Sequence, residues 1–92
     1  MKINFAELRF RPSLFEPEVS IKDFHKQLAN AIWQNKEIAA GDFALRIFNL
    51  PENKLEIEVS EAEKGYIKDA LGGFLQWAQK PVLEAIGEKE GK

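Results

Sequence analysis

Residues 54–86 constrain the fold most, because a strand pattern there runs directly into a helix pattern. Leu55, Ile57 and Val59 alternate with charged residues, which is typical of a strand that has one face in water. Apolar residues then recur at helical spacing as far as Ile86. A chain with this segment is predicted to contain at least one strand covered by a helix.

A capping box marks the start of that helix. Ser60 can accept a hydrogen bond from the backbone of Glu63, and the Glu63 side chain can reach back to residue 60. We predict one long helix from Glu61 to about Ile86. Pro81 should bend or divide it, because proline lacks the backbone donor and its ring clashes with the preceding turn.

The N-terminal residues 2–10 are a second strand candidate with a register conflict. Ile3 and Phe5 share one parity, whereas Leu8 and Phe10 have the other. Either a bulge near residues 6–7 resets the register, or the strand is covered on both faces. Two prolines make residues 11–19 an irregular connection.

Two shorter helices are predicted between the strands. The first runs from Ser20, a good N-cap, to about Asn35. The second covers residues 42–49, begins at Gly41 or Asp42, and is apolar on most of its circumference. A helix of that kind is usually buried.

These elements predict one α+β domain over residues 1–87, in the order β-α-α-β-α, followed by a polar frayed tail at 88–92. The two strands form a small sheet, and the long C-terminal helix must cover it because two strands alone are marginal in water. The predicted core consists of Ile3, Phe5, Leu28, Ile32, Phe43, Ile47, Leu55, Ile57, Val59, Ile67, Leu71, Phe74 and Ala78.

Composition excludes several classes of protein. The chain has 92 residues, no cysteine and one histidine, so a thiolate metal site and a disulfide framework are ruled out. A net charge of −2 is too small to indicate a partner that is attracted by a long-range electrostatic field. No apolar run approaches the ~20 residues that span a bilayer. We expect a cytoplasmic protein without membrane contact, metal or cofactor.

Catalysis has few candidate residues. His25 alone titrates near neutrality, and it lies at the rim of an apolar helix stripe, which favours a structural role over an enzyme site. Glutamates 52, 56, 58, 61 and 63 lie on a wet strand face or in the first turn of a helix, where negative charge is favourable. We therefore predict a protein that is not an enzyme. A weak site for a cation or a basic partner at Glu52–Glu63 stays open.

The predicted long helix is apolar over more of its surface than one packed side needs. Beside its main stripe lies a second one, formed by Tyr66, Ala70, Gly73 and Trp77. Gly72 and Gly73 point to a kink or to close approach by another element, because glycine costs ~1 kcal/mol in a helix.

The surplus of aromatic residues has two explanations. Trp33 projects away from the apolar stripe of its own helix. Either the long helix is central in its domain, or the second stripe and Trp33 meet a second copy or another protein. We favour a non-enzymatic interaction or assembly module that self-associates.

The alternative function is nucleic-acid binding or regulation through the N-terminal segment. Lys2, Arg9, Phe10 and Arg11 combine positive charge with one aromatic ring, as surfaces that hold single strands do. This electrostatic footprint is small for a nucleic-acid-binding protein.

Two stretches, FHKQLANAIWQ and KLEIEVSEAEKGYIKDAL, resemble small proteins of unknown function encoded in bacterial prophages and related mobile elements. The resemblance covers roughly residues 24–75 and excludes the N-terminal strand and the Pro-bearing end. It implies a helix, a short helix, an acidic-apolar strand and a final helix. It also implies a role in an assembly or a regulatory contact, and it assigns no functional residue.

Overall fold

Two antiparallel strands and four helices form the fold in a computed structural model, which describes residues 1–87. The elements are β1 (Lys2–Asn4), α1 (Phe24–Trp33), α2 (Ile38–Phe48), β2 (Glu56–Glu58), α3 (Glu61–Leu71) and α4 (Gln76–Ala85). The α+β prediction and the order of its elements are confirmed. The tail predicted at 88–92 lies outside the described residues.

The sheet pairs the start of the chain with a segment in the middle of the predicted domain. Ile3 of β1 is opposite Ile57 of β2, and Lys2 and Asn4 are opposite Glu58 and Glu56. The pairing continues past the strand ends, because the Phe5 N–H donates to the Leu55 carbonyl at 2.7 Å. β1 thus ties the first residues of the chain to the segment that precedes α3.

A 3₁₀ turn at Phe5–Glu7 resolves the register conflict of the N-terminal segment. The Asn4 side chain accepts from the Ala6 N–H at 3.0 Å and fixes the start of the turn. After the turn, Phe10 and Val19 exchange two backbone hydrogen bonds of 2.7 Å each. All four apolar residues of the segment are consequently buried: Ile3, Phe5, Leu8 and Phe10.

The predicted start of the first helix is wrong. α1 begins at Phe24, and Ser20 does not cap it. Val19, held by its bridge to Phe10, keeps the chain extended up to this point. A turn follows in which Asp23 adopts a left-handed φ of 60°, and its carbonyl accepts from the Lys26 N–H.

The second helix begins four residues before the predicted Asp42. α2 starts at Ile38, and the Asn35 side chain accepts from the Glu37 N–H at 2.8 Å just before it. The longer helix has one exposed face, so the expectation that α2 is buried on nearly all sides is wrong. Phe43, Ala44 and Ile47 face the core.

The capping box is present, but the single long helix is not. Ser60 and Glu63 exchange hydrogen bonds of 3.2 and 2.9 Å at the start of α3. Residues 72–75 then divide the segment into α3 and α4. The break falls at Gly72 and Gly73, two residues of low helix propensity, whereas Pro81, whose propensity is lower still, lies inside α4.

Most of the predicted core is buried. Ten of its thirteen members are buried, while Leu55, Ile57 and Phe74 are half-buried against the others. The structure adds Leu8, Phe10, Phe24, Ala29, Ala40, Ala44, Val82 and Ile86. α1 packs chiefly on α2 and also on α3, so the core lies between these helices and the sheet.

Candidate functional site

Four large apolar side chains are exposed on the neighbouring helices α1 and α2. We call this surface the Trp33 patch; its members are Trp33, Ile38, Leu45 and Phe48. Their exposed fractions are 53%, 86%, 46% and 46%. Ile38 and Leu45 lie two turns apart on α2, and Phe48 follows three residues later, so the three share one face.

Local geometry places the Trp33 indole beside this face. Gly41 lies against the ring, since a Cβ at this position would be 3.6 Å from Trp33 Cζ3. The indole, Leu45 and Phe48 surround a depression of about 210 Å³, whose floor includes Ala29 and Ala44. The patch therefore combines a shallow hollow with the projecting side chain of Ile38.

Charged residues of both signs lie next to members of the Trp33 patch. The Lys26 ammonium lies 5.4 Å from the centroid of the Phe48 ring. Lys36 and Glu37 adjoin Ile38 in the chain, and Asp42 follows it one turn later on α2. A surface with an apolar centre and a charged rim has the composition of a protein interface.

A larger groove separates the N-terminal segment from α4. Its volume is about 870 Å³. One wall is β1 with the residues that follow it, and the other is a face of α4 that includes Trp77 and Pro81. Seven charged side chains line it: Lys2, Glu7, Arg9, Arg11, Glu18, Lys80 and Glu84.

Three of the four residues predicted to contact nucleic acid line this groove. Arg9 donates to the carbonyls of Ala6 and Leu8, and Arg11 donates to the carbonyl of Leu14. Lys2 is exposed on β1. Phe10 is only 1% exposed and packs on Phe24 with 4.6 Å between centroids, so its ring has no free face for a base.

The predicted stripe of Tyr66, Ala70, Gly73 and Trp77 lies on two helices and the connection between them. Tyr66 and Ala70 belong to α3, Gly73 to the break, and Trp77 to α4. Tyr66, Ala70 and Trp77 are half-buried against the core. A Cβ on Gly72 or Gly73 would meet only a carbonyl of the preceding turn, that of Asp69 at 3.3 Å or that of Ala70 at 3.9 Å, so the glycine pair marks a break and not a close approach by another element.

Trp77 joins the groove to the core. Its ring meets Phe10 edge-on, with centroids 6.4 Å apart and an interplanar angle of 81°. Its half-exposed side lines the groove together with Lys2 and Arg9. The structure thus brings together one residue of the predicted stripe and three of the predicted basic cluster.

His25 is buried beside Phe5, with ring centroids 6.1 Å apart. Its Nε2 has no hydrogen-bond partner among the described residues. Burial lowers the pKa of His25 below 6.5, against the opposing attraction of the Asp23 and Glu52 carboxylates. His25 lines neither the groove nor the hollow of the Trp33 patch.

Three residues of the acidic cluster form separate ion pairs. Glu58 meets the N-terminal ammonium at 3.1 Å, Glu61 meets Lys64 at 2.9 Å, and Glu63 meets Arg46. The hydrogen bond from Lys64 lowers the pKa of Glu61. Burial alone would raise the pKa of Glu63, but hydrogen bonds from Ser60 and Arg46 outweigh it.

The structure of residues 1–87 contains neither a cluster of metal-ligating side chains nor a membrane-spanning helix. No three metal-ligating side chains converge there. None of the helices in that range combines the length and the apolar character needed to cross a bilayer.

Sequence reasoning missed Ile38, Leu45 and Phe48 as surface residues. The predicted helix begins at Gly41 or Asp42, so it leaves out Ile38 and does not indicate an exposed face. The spacing of seven residues between Ile38 and Leu45 was the available signal. Comparison with protein-family models, with curated proteins and with solved structures gives no match.

Proposed function

We propose that this protein is a non-enzymatic interaction module that associates with a second copy of itself through the Trp33 patch. The observation that carries the proposal is the exposure of four large apolar side chains on adjoining faces of α1 and α2. Contiguous apolar patches on monomeric proteins are usually small, and larger ones mark contact sites. Tryptophan is also among the residues that contribute most to binding energy.

Shape favours a second copy as the partner. In a two-fold symmetric interface, the same patch occurs on both sides and must be complementary to itself. Ile38 projects from the first turn of α2, and the hollow between Trp33 and Phe48 lies further along the same surface. Ile38 of each copy can therefore enter the hollow of the other.

Charge agrees with this arrangement. The rim holds Lys26 and Lys36 together with Glu37 and Asp42, so opposite signs are present on the same surface. A net charge of −2 opposes association of two copies only weakly. The resemblance to mobile-element proteins supports a role in an assembly or a regulatory contact. We propose that the protein performs it in the cytoplasm.

Sedimentation equilibrium of the full chain tests the proposal. We expect a dimer at micromolar concentration, and we expect Ile38→Asp to be monomeric under the same conditions. Ile38 is 86% exposed and begins α2, where an added carboxylate favours the helix, so the variant should fold. Leu75→Asp is the matched control, because Leu75 is 67% exposed and lies outside the patch.

Fluorescence supplies a second readout. In a Trp77→Phe variant, Trp33 is the remaining indole, and its emission should shift to shorter wavelength as dilute protein is concentrated. A dissociation constant of about 1 mM is at the weak end of specific association. A wild-type chain that is still monomeric at that concentration contradicts the proposal. Equal effects of Ile38→Asp and Leu75→Asp contradict the assignment to the Trp33 patch.

A further inference from the structure

β1 has one open edge. Met1 exchanges backbone hydrogen bonds with Val59, and the Phe5 N–H bonds to Leu55, so the odd-numbered residues point their backbone groups toward β2. Backbone groups alternate in direction along a strand, so the N–H and C=O groups of Lys2 and Asn4 point away from β2. No other strand within residues 1–87 pairs with this edge.

The open edge forms one wall of the groove. Lys2, Ile3 and Asn4 line it, and α4 stands opposite. The volume of about 870 Å³ falls within the range of sites that enclose a ligand. A groove between a strand edge and a helix admits an extended segment as an added strand, and this is a recurrent way of binding peptides.

The charges of the groove are not paired with one another. No ion pair joins any of its seven charged side chains to another of the described residues. Elsewhere Arg46 and Lys64 do have carboxylate partners. The cations outnumber the carboxylates four to three, and one of them, Lys2, is on the strand edge itself.

We propose that this groove binds an extended acidic peptide segment, which adds to β1 as a third strand. Its backbone pairs with the outward groups of Lys2 and Asn4. Its carboxylates lie near Lys2, Arg11 and Lys80, and its apolar side chains contact Trp77. This site is separate from the Trp33 patch, and the proposal does not depend on self-association.

An eight-residue peptide of alternating valine and glutamate is the probe. We expect it to quench or shift the Trp77 emission of a Trp33→Phe variant and to protect the Lys2 and Asn4 amides from hydrogen exchange. The same peptide with alternate backbone nitrogens methylated should not bind, because it cannot pair with a strand. A valine–lysine peptide should bind more weakly.

Charge variants locate the site. Lys2→Gln and Lys80→Gln should each weaken binding by about two- to fivefold, the usual effect of an exposed charge. Neither side chain holds a neighbouring loop, in contrast to Arg9 and Arg11. Lys36→Gln, outside the groove, should leave binding unchanged.

Three outcomes overturn the proposal. The first is the absence of any binding of the valine–glutamate peptide at about 1 mM, where even weak specific complexes form. The second is equal binding of the methylated peptide, which excludes strand pairing. The third is binding of a single-stranded oligonucleotide that weakens steeply with salt, with no protection of Lys2 and Asn4, which assigns the groove to nucleic acid.

Discussion

His25 is a titratable side chain in an environment that disfavours its charge. It is 2% exposed, its ring lies against Phe5, and its Nε2 has no partner among the described residues. Burial lowers its pKa, so the folded chain favours the neutral imidazole more than the unfolded chain does. In the unfolded chain the same side chain takes up a proton near its ordinary pKa of 6.5.

This difference predicts a loss of stability on mild acidification. Below about pH 6.5 the unfolded chain takes up a proton more readily than the native chain does. The free energy of unfolding therefore decreases as the pH is lowered, until the pH reaches the native pKa of His25. Urea unfolding at pH 7.0 and 5.5 should show the fall in the wild type. His25→Leu should remove it, since this is the only histidine.

Between pH 7.0 and 5.5 the effect of His25 can be measured without that of the acidic groups. Glu61 and Glu63 have pKa values below 4.5, so the stability that they contribute is lost only at lower pH. A wild-type free energy of unfolding that is equal at both pH values would contradict a lowered pKa for His25. A His25→Leu variant with the wild-type slope would assign the dependence to another group.

The two serines proposed as helix caps should respond differently to alanine. Ser60→Ala should lower the free energy of unfolding by about 1 kcal/mol, because it removes the acceptor for the Glu63 N–H at the start of α3. Ser20→Ala should change it by less than about 0.5 kcal/mol, as an exposed residue that caps nothing. Chemical denaturation of both variants measures the contrast, and equal effects would show that the box contributes nothing specific.

Those serines also show which local signals can be predicted from sequence. Ser60 and Glu63 satisfy each other within one turn, so the pattern suffices to locate them. Ser20 has an equally suitable side chain, but Val19 beside it is bridged to Phe10. That pairing joins residues nine positions apart, so it cannot be predicted from the residues next to Ser20.

At the scale of elements, β2 and the number of helices are predicted from different sequence signals. The alternation around Ile57 was sufficient to predict β2, whereas the division of the long helix depended on comparing two breakers. Gly72 and Gly73 both lie in the break, while Pro81 is accommodated within α4. The sequence contains both signals, and the structure shows that α4 continues past Pro81, with Val82 and Ile86 buried beyond it.

Alanine substitution of two glycines should have effects of opposite sign. Gly73 has no left-handed φ and a Cβ there would meet only the Ala70 carbonyl at 3.9 Å, so Gly73→Ala should stabilise by about 0.4–1 kcal/mol through the unfolded state. Gly87 has a φ of 85°, so Gly87→Ala should destabilise by about 1–2 kcal/mol. Thermal unfolding distinguishes them, and destabilisation by Gly73→Ala would indicate that the break itself requires glycine.

For the whole molecule, the predicted core was largely confirmed, but the candidate site required tertiary structure. The sequence predicts that Trp33 projects away from the apolar stripe of its helix, but it places Leu45 and Phe48 on a buried helix. Whether one face of α2 is covered depends on where α1 crosses it. The groove likewise depends on the distance between β1 and α4, which lie more than seventy residues apart.

Two core residues that the sequence treats alike should differ in cost. Leu71 is 1% exposed, so Leu71→Ala should lower the free energy of unfolding by about 2–5 kcal/mol, a large part of the total for such a chain. Phe74 is half-buried at the helix break, with its ring 5.8 Å from that of Phe24, and Phe74→Ala should cost less. Urea unfolding decides this, and a larger cost at Phe74 would place the centre of the core nearer to α4.

Self-association should also couple stability to concentration. Only native chains present the Trp33 patch, so dimerisation stabilises the folded state by mass action, and a tenfold rise in concentration adds about 1.4 kcal/mol per dimer. The wild-type Tm should rise by a few degrees from 10 to 100 µM. Ile38→Asp should show no rise, and Leu75→Asp should retain it. A wild-type Tm that is independent of concentration, with sedimentation showing a dimer, would mean that the contact forms without the folded α1–α2 surface.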